Sequence, residues 1–484
     1  MENSSKNNGK FFYITTTLPY VNSRPHVGFA TEIIRADVIA RFKRSQGYDV
    51  FFNTGTDEHG IKIFQKAKEL GKDTQKFVDE NADHFKNLKE SLNVSFDAFT
   101  RTTDEYHKSS AQAFWKLCDE RGFIYKKKYS GLYCVGCEMF VTEKELIEGN
   151  CPNHPTQKPE MLEEENYFFK YSEFGDDLLK LYESGAVSVY PENRVNEIKQ
   201  MVTNGLEDFS ISRLKEKMPW GVPVPGDEDH VMYVWFDALT NYISTLGWPE
   251  DSEKFEKYWK NGTPVQYCGK DNLQHQGARW QAMLLACGLP PTRDIVVDGF
   301  LTSGGQKMSK SIGNVIDPQD IVEKYGTDAL RYFVVRELHP FEDSDFTIER
   351  FEESYNAHLA NGIGNLTNRI LKMSEDNIPE GVEVSEIDFP KNYTDAFEVF
   401  NLQVATDFIW KKIGEIDEQI QNTQPFKVIK EDKEKGIEII KELVQKLYEV
   451  SILLSPILPE TSKKIQNSIK ENKKPETPIF ARLD

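Results

Sequence analysis

With 484 residues, 39% of them hydrophobic and 31 Phe, 20 Tyr and 7 Trp available for packing, the chain excludes wholesale disorder and predicts about three or four domains. A formal net charge of -19 excludes a general nucleic-acid coat, so an RNA partner has to be met by local patches such as Lys126-Lys127-Lys128, whose plainer reading is a solvated face. The polar start Met1–Lys10 and the lack of any apolar run of about eighteen residues predict neither secretion nor membrane insertion, and six cysteines in so long a chain fit a reducing cytosol better than a disulfide framework.

Taken in chain order, Phe11–Thr16 is an apolar run expected as a buried strand. The turn formers Leu18-Pro19-Tyr20-Val21-Asn22-Ser23-Arg24-Pro25 follow, then a helical period through Phe29, Ile33, Ile34, Val38 and Phe42 that stops at Gly47. Tyr48–Phe52 predicts a second strand leading into Gly55-Thr56-Asp57-Glu58-His59-Gly60, and another periodic segment runs from Ile61 to Gly71. This βαβα order implies a parallel sheet, in which ligands bind beyond the carboxyl ends of the strands.

Residues 122–229 read as an insertion, marked by Gly and Cys pairs and by Glu163-Glu164-Glu165. The earlier order then returns, with Val265–Cys268 as a strand, Gly269-Lys270-Asp271, a helix over about Leu273–Cys287 and a strand at Ile295–Val297. After about residue 355 the pattern is helical, near 355–374, 395–422 and 434–454, with a loop at Pro379–Pro390.

Four motifs carry chemistry. Lys307-Met308-Ser309-Lys310-Ser311 follows a Ser303-Gly304-Gly305 lead-in read as flexible. Two lysines three apart on a mobile loop can converge on phosphate oxygens and stabilise charge developing during phosphoryl or nucleotidyl transfer. The P-loop spacing is absent, and the plain alternative is a solvated surface loop. His26-Val27-Gly28-Phe29 opens the first helix, where the amino terminus attracts anions, Gly28 permits close approach and His26 can donate to a phosphate; the alternative for His26 is a cap or packing residue.

Cys134-Val135-Gly136-Cys137 and Cys151-Pro152-Asn153-His154 are two chelating pairs at knuckle spacing. Together they supply four ligands for one tetrahedral zinc and leave no position for water, so the expected site is structural, against the alternative of incidental thiols. Cys118, Cys268 and Cys287 lack such pairing and are expected in the core. Asn365 and Arg369, four apart on one helix face, suit the reading of base edges or are ordinary surface residues. The fold class that follows is α/β, a Rossmann-like doubly wound parallel sheet split by a zinc-knuckle insertion and followed by an all-α bundle. Its domains are 1–121 and 230–300 for the two halves of the catalytic domain, 122–229 for the insertion, 301–355 for the lysine-loop domain and 356–484 for the helical domain.

In this order the two phosphate motifs resemble the paired nucleotide-binding signatures of class I aminoacyl-tRNA synthetases, with Phe29 where the first signature has its second histidine. The words Leu18–Asn22, Gly55–Gly60, Tyr233-Val234-Trp235-Phe236-Asp237-Ala238 with Tyr242, and Gly269-Lys270-Asp271 are similar to those of the methionine branch, and the likeness runs from Tyr13 to about Leu458. The resemblance implies that Asp57 holds the substrate ammonium with help from the Leu18 backbone. It also implies that Tyr20, Trp235, Ala238 and Tyr242 wall the side-chain pocket. A polarizable thioether packs well against aromatic edges, and His275, where an aromatic-histidine pair reads His275-Gln276, is a further candidate; the alternative for Trp235 and Tyr242 is an aromatic core stripe.

By the same resemblance His26, Gly28, Gly269, Asp271, Lys307, Ser309 and Lys310 bind ATP, with His26, Lys307 and Lys310 catalytic. Asn365, Arg369 and Phe426, the last where tryptophan is usual, meet the anticodon. The single zinc knuckle lies near the acceptor end of the tRNA. The implied partners are magnesium-ATP, L-methionine and tRNA(Met), in a cytoplasmic monomer. Competing readings are a class I enzyme for leucine, isoleucine or valine, a non-catalytic tRNA- or zinc-binding protein, which Phe29 motivates, and a small-molecule nucleotidyltransferase. The first needs a hydrolytic domain for which the insertion is too small, and the helical segment with Asn365 and Arg369 disfavours the last.

Overall fold

The computed structural model describes residues 10–134, 139–141, 143, 146–152, 158–308 and 314–483. The chain folds as two compact units: one comprises the chain up to Arg24, Asp49–Asn87 and Phe96–Val297, the other Pro25–Tyr48, Leu88–Ser95 and the chain from Asp298 onward.

The first unit is built on a sheet of six strands among the described residues: β1 (Phe11–Thr15), β2 (Asp49–Thr56), β3 (Ala98–Arg101), β4 (Ser188–Tyr190), β5 (Thr263–Gly269) and β6 (Asp294–Asp298), in the spatial order β3-β2-β1-β5-β6-β4. β1 pairs in parallel with β2 and β5, β2 with β3, and β6 with β4. Residues Val50–Thr56 of β2 are all buried, because helices cover both faces of such a sheet; this is why these strands read as unbroken apolar runs. The chain leaves β1 towards β2 and β3, then returns on its other side as β5, which makes β1 the point where strand order reverses. Gly55 is dictated by the β2–β3 pairing, since a Cβ there would stand 1.8 Å from the Thr100 carbonyl oxygen.

Within the predicted insertion, Ile124–Cys134 and Glu160–Phe169 form a long antiparallel ribbon, in register from Ile124↔Phe169 to Tyr133↔Glu160. Lys126 on this ribbon donates to Asp227 (2.9 Å), so it is committed to a carboxylate of its own chain. One segment of the range 122–229 behaves differently: β4, between helices Gly175–Glu183 and Arg194–Thr203, closes the edge of the main sheet beside β6.

The second unit is mostly helical. Its first helix, α1 (Val27–Ser45), is nearly surrounded, and it satisfies two buried charges internally. Arg35 donates to the carbonyls of Val334, Leu338, His339 and Pro340 and to the Asp298 carboxylate (3.0 Å). Asp37 pairs with Arg331 (2.8 Å), both without exposure; burial opposes its ionisation, but Arg331 and Arg41 outweigh it and hold the carboxyl below its ordinary range. The carboxyl-terminal helices Asn365–Asn377, Leu402–Thr423 and Lys433–Leu454 follow the predicted periods, a further helix Pro459–Lys470 was not predicted, and the 379–390 stretch carries no regular element. The predicted 355–374 helix is broken at Gly362 (φ -84°, ψ -110°), where a wide-turn segment Tyr355–Gly364 gives way to Asn365–Asn377. No helix among the described residues is long and apolar enough to cross a membrane.

Candidate active site

The central strands β2, β1 and β5 end side by side, and the loops beyond them carry the predicted amino-acid pocket. The loop after β1 is laced to the loop after β2. The Asp57 N–H donates to the Pro19 carbonyl (2.9 Å), the Val21 N–H donates to the Asp57 carbonyl (3.2 Å), and Tyr20 and Asp57 form an isolated parallel bridge. Asp57 is 5% exposed, and a carboxylate removed from water to that degree favours a cationic partner, which is what a substrate ammonium supplies.

Gly269 at the end of β5 and the exposed Asp271 beyond it lead into the segment carrying His275. The His275 ring stacks on Trp235, with centroids 3.7 Å apart and planes within 3°. Burial first, and then the positive charge of Arg279, push His275 well below the ordinary histidine range, so the ring is neutral. Arg279 Nη1 donates to its Nδ1 (3.3 Å), which leaves the ring proton on Nε2. Trp235 is half-buried at the start of helix Val234–Leu239 and Ala238 lies one turn on, while Leu18 is buried behind the β1 loop. Tyr242 sits deepest: 2% exposed, it accepts from the Tyr13 hydroxyl through its carbonyl (2.9 Å) and packs beside Trp280. The structure thus joins Tyr20 to Asp57 and Trp235 to His275, and makes Tyr242 part of the aromatic core. A cavity of about 580 Å³ at the base of the insertion, bordered by Tyr171, Arg213 and Arg279, is lined by none of the predicted pocket residues.

Both phosphate motifs belong to the second unit. His26 is the N-cap of α1, and its Nδ1 accepts from the Gly28 N–H (3.1 Å), so its ring proton also lies on Nε2. The capping alternative is therefore realised, and it presents the tautomer that a phosphate oxygen needs. Gly28 serves this contact directly, since a Cβ there would come within 2.8 Å of the His26 ring. Phe29 is 8% exposed and packs inward, so this helix start offers one imidazole.

The lysine motif is reached through a β-hairpin. Leu301–Ser303 pairs with Gln306–Lys307, and Gly304 and Gly305, at φ +62° and +72°, form its two-residue turn. The expected flexible lead-in is thus a tight turn, which the Asp345 carboxylate fastens through the Gly305 N–H (2.9 Å). Lys307 stands at the end of that hairpin, whereas Ser309, Lys310 and Ser311 lie outside the described residues. In the same unit the Val27 N–H donates to the carbonyl of Ile316, five residues past the lysine motif (2.9 Å).

The sequence matches the family described as tRNA synthetases class I (M) over residues 12–158 and 154–371. The methionine–tRNA ligase of Thermotoga maritima is 40% identical over 96% of this chain and 76% of its own length, and that of a Nostoc species is 38% identical over 95% and 90%. A solved structure of Mycobacterium tuberculosis methionyl-tRNA synthetase in complex with methionyl-adenylate superposes with a TM-score of 0.89, at 35% identity, covering 98% of this chain and all of that one. The chain belongs to the methionyl-tRNA synthetase family of class I.

The residues expected at the anticodon are disposed unequally. Asn365 is exposed at the start of helix Asn365–Asn377, and Phe426, 47% exposed, presents its ring from the short helix Pro425–Glu431. Arg369 is ion-paired with Asp417 of helix Leu402–Thr423, so its guanidinium is already held by its own chain. Of the zinc candidates, Cys134 and Cys151 are both buried in one small cluster with Val141, while Cys137 and His154 lie outside the described residues. Cys118, Cys268 and Cys287 are buried in the core.

Several buried, bonded residues beside the candidate site were not singled out in the sequence reading. Glu58, fully buried, accepts from Arg101 (2.6 and 2.8 Å), Thr56 and Thr103, and its carbonyl accepts from the Trp220 indole (2.6 Å). His59 donates through Nδ1 to the Asp237 carboxylate (2.9 Å). The signal was present in the charged word Asp57-Glu58-His59 at the end of a buried strand, where each polar group needs a partner.

Proposed function

We propose that the chain activates L-methionine with ATP to methionyl-adenylate, then transfers the methionyl group to the 3′ end of tRNA(Met). A methionine carboxylate oxygen attacks the ATP α-phosphorus and pyrophosphate leaves. The terminal ribose hydroxyl then attacks the adenylate carbonyl, and AMP leaves as the ester forms. Neither step needs a protein nucleophile, so catalysis is positioning and electrostatics.

Asp57, with the Leu18 backbone, binds the ammonium, and Tyr20, Trp235, Ala238, Tyr242 and His275 wall the thioether pocket. A neutral His275 stacked on Trp235 supports this reading, because a charged ring would be penalised beside an apolar substrate. His26 and Lys310 act on the phosphates with Lys307 and Ser309 assisting, and Gly28, Gly269 and Asp271 lie at the nucleoside. Magnesium accompanies ATP and neutralises phosphate charge. Cys134, Cys137, Cys151 and His154 would hold a structural zinc that stabilises the insertion; the shared burial of Cys134 and Cys151 fits a thiolate pair brought to one ion. Asn365, Arg369 and Phe426 contact the anticodon, and the exposed Phe426 ring suits stacking. The catalytic halves, insertion, lysine-loop and helical domains are assigned to the boundaries expected from sequence, except that Ser188–Tyr190 of the insertion range belongs to the catalytic sheet, and the enzyme works as a cytoplasmic monomer.

The observations that carry the reading are the buried Asp57 carboxylate on the loop after β2 and the stacked Trp235–His275 pair, with His275 on the segment after β5. The test is pyrophosphate exchange into magnesium-ATP with each amino acid in turn, then charging of tRNA. Exchange is expected with methionine, and exchange driven by leucine, isoleucine or valine instead would overturn the assignment.

A further inference from the structure

The loop carrying Asp57 and the helix carrying Trp235 come from sequence positions far apart, yet they meet through one buried bond. His59 lies two residues after Asp57, and Asp237 lies between Trp235 and Ala238. His59 Nδ1 donates to Asp237 Oδ2 at 2.9 Å across 178 residues of sequence, with the two side chains 3% and 0% exposed. The loop is fixed on its other side by the Trp220 indole on the Glu58 carbonyl (2.6 Å) and by the Gly60 N–H on the Trp220 carbonyl (3.1 Å). The helix side is firm as well, since the Asp237 carbonyl accepts from the Thr240 hydroxyl (2.6 Å).

We infer that His59 and Asp237 are positioning residues of the methionine pocket, their bond setting the separation between the carboxylate that takes the ammonium and the ring that takes the side chain. The inference rests on the proposed function and deepens it. A substrate held at both ends tolerates little error in that spacing, and a bond made in a dry interior is directional and costly to leave unmade. Neither residue needs to touch the substrate. His59 lies two residues from Asp57 and Asp237 adjoins Ala238, so a loss here moves the pocket walls without removing them.

The chemistry of the bond supplies the test. Asparagine places its Nδ2 where histidine has Nδ1, while leucine fills a comparable volume with no donor. Steady-state pyrophosphate exchange is measured for wild type, His59→Asn and His59→Leu, with methionine and ATP varied separately. His59→Leu is expected to raise the methionine KM by about ten-fold or more with the ATP KM within about two-fold, whereas His59→Asn stays within about three-fold of wild type for both. Asp237→Asn, which keeps an acceptor, is expected to rank with His59→Asn, and Asp237→Ala with His59→Leu; this second pair decides the matter should His59→Leu fail to fold by circular dichroism. Equal behaviour of the donor-keeping and donor-lacking variants, or parallel rises in both KM values, would reduce the bond to general packing and overturn the inference. A wild type that shows no methionine-dependent exchange would instead refute the proposed function itself.

Discussion

In the two units, the residues assigned to ligands are held in opposite ways. In the first, the residues assigned to methionine are buried and bonded before any substrate arrives: Asp57 is tied to Pro19 and Val21 through its backbone, His59 to Asp237, and His275 lies flat on Trp235. In the second, residues assigned to phosphates and RNA stand exposed, His26 at a helix start and Asn365 and Phe426 on helix surfaces, while the Lys307 backbone ends a hairpin. A small substrate with an apolar side chain offers few handles beyond its ammonium and carboxylate, and its recognition depends on shape and dry spacing. Polyphosphate and RNA offer charge and flat bases that can be met from the surface.

Experiments can break this contrast, and the largest effect is expected in the first unit. Asp57→Ala removes the ammonium's partner in a buried setting and is expected to cost about 2–5 kcal/mol in kcat/KM for methionine, read by pyrophosphate exchange. A loss confined to the ATP KM would place the ammonium elsewhere. Lys310→Ala should slow adenylate formation by about a hundred-fold, measured by rapid quench, with methionine affinity by equilibrium dialysis unchanged. Equal loss of both would remove its phosphate role and erase the division of labour between the units.

For the RNA-facing end, Phe426→Ala is expected to weaken tRNA charging by about 1–3 kcal/mol while leaving pyrophosphate exchange intact. A sharper comparison comes from pH. His107, buried in the first unit with Nδ1 3.0 Å from the Ser244 hydroxyl, is pushed down to about 3, by burial first and then by the charge of His59. A histidine depressed on folding contributes stability that is complete above its unfolded value of 6.5 and is lost as pH falls towards about 3. Thermal unfolding should therefore lose up to about 1.4 kcal/mol per pH unit from this one group in that window, and His107→Gln should flatten the slope. An unchanged slope would mean that this ring is not held neutral.

Much of this organisation was legible in the chain. β1, β2, β5 and β6 were readable because strands covered on both faces must be apolar throughout, and the long carboxyl-terminal helices because a one-sided face leaves a 3.6-residue period. The short strands Ala98–Arg101 and Ser188–Tyr190 were not assigned, since three or four residues of mixed polarity at a sheet edge leave no periodic signal. The glycine pair before Lys307 looked flexible because the same residues that permit motion also permit a two-residue turn, and only the pairing of Thr302 with Lys307 distinguishes them. Arg369 looked available for a base because its carboxylate partner lies 48 residues away.

Sequence by itself determined the order of the central strands and long helices and the two phosphate motifs, because local composition and spacing carry that information, while the pocket residues came from the family resemblance. Tertiary structure alone decided which polar groups are already satisfied: Arg35 on its carbonyls, Asp37 on Arg331, His59 on Asp237, Arg369 on Asp417. Hydrogen bonding acts over about 3 Å of space and takes no account of distance along the chain, so the partner of a buried charge becomes visible only once the chain has folded.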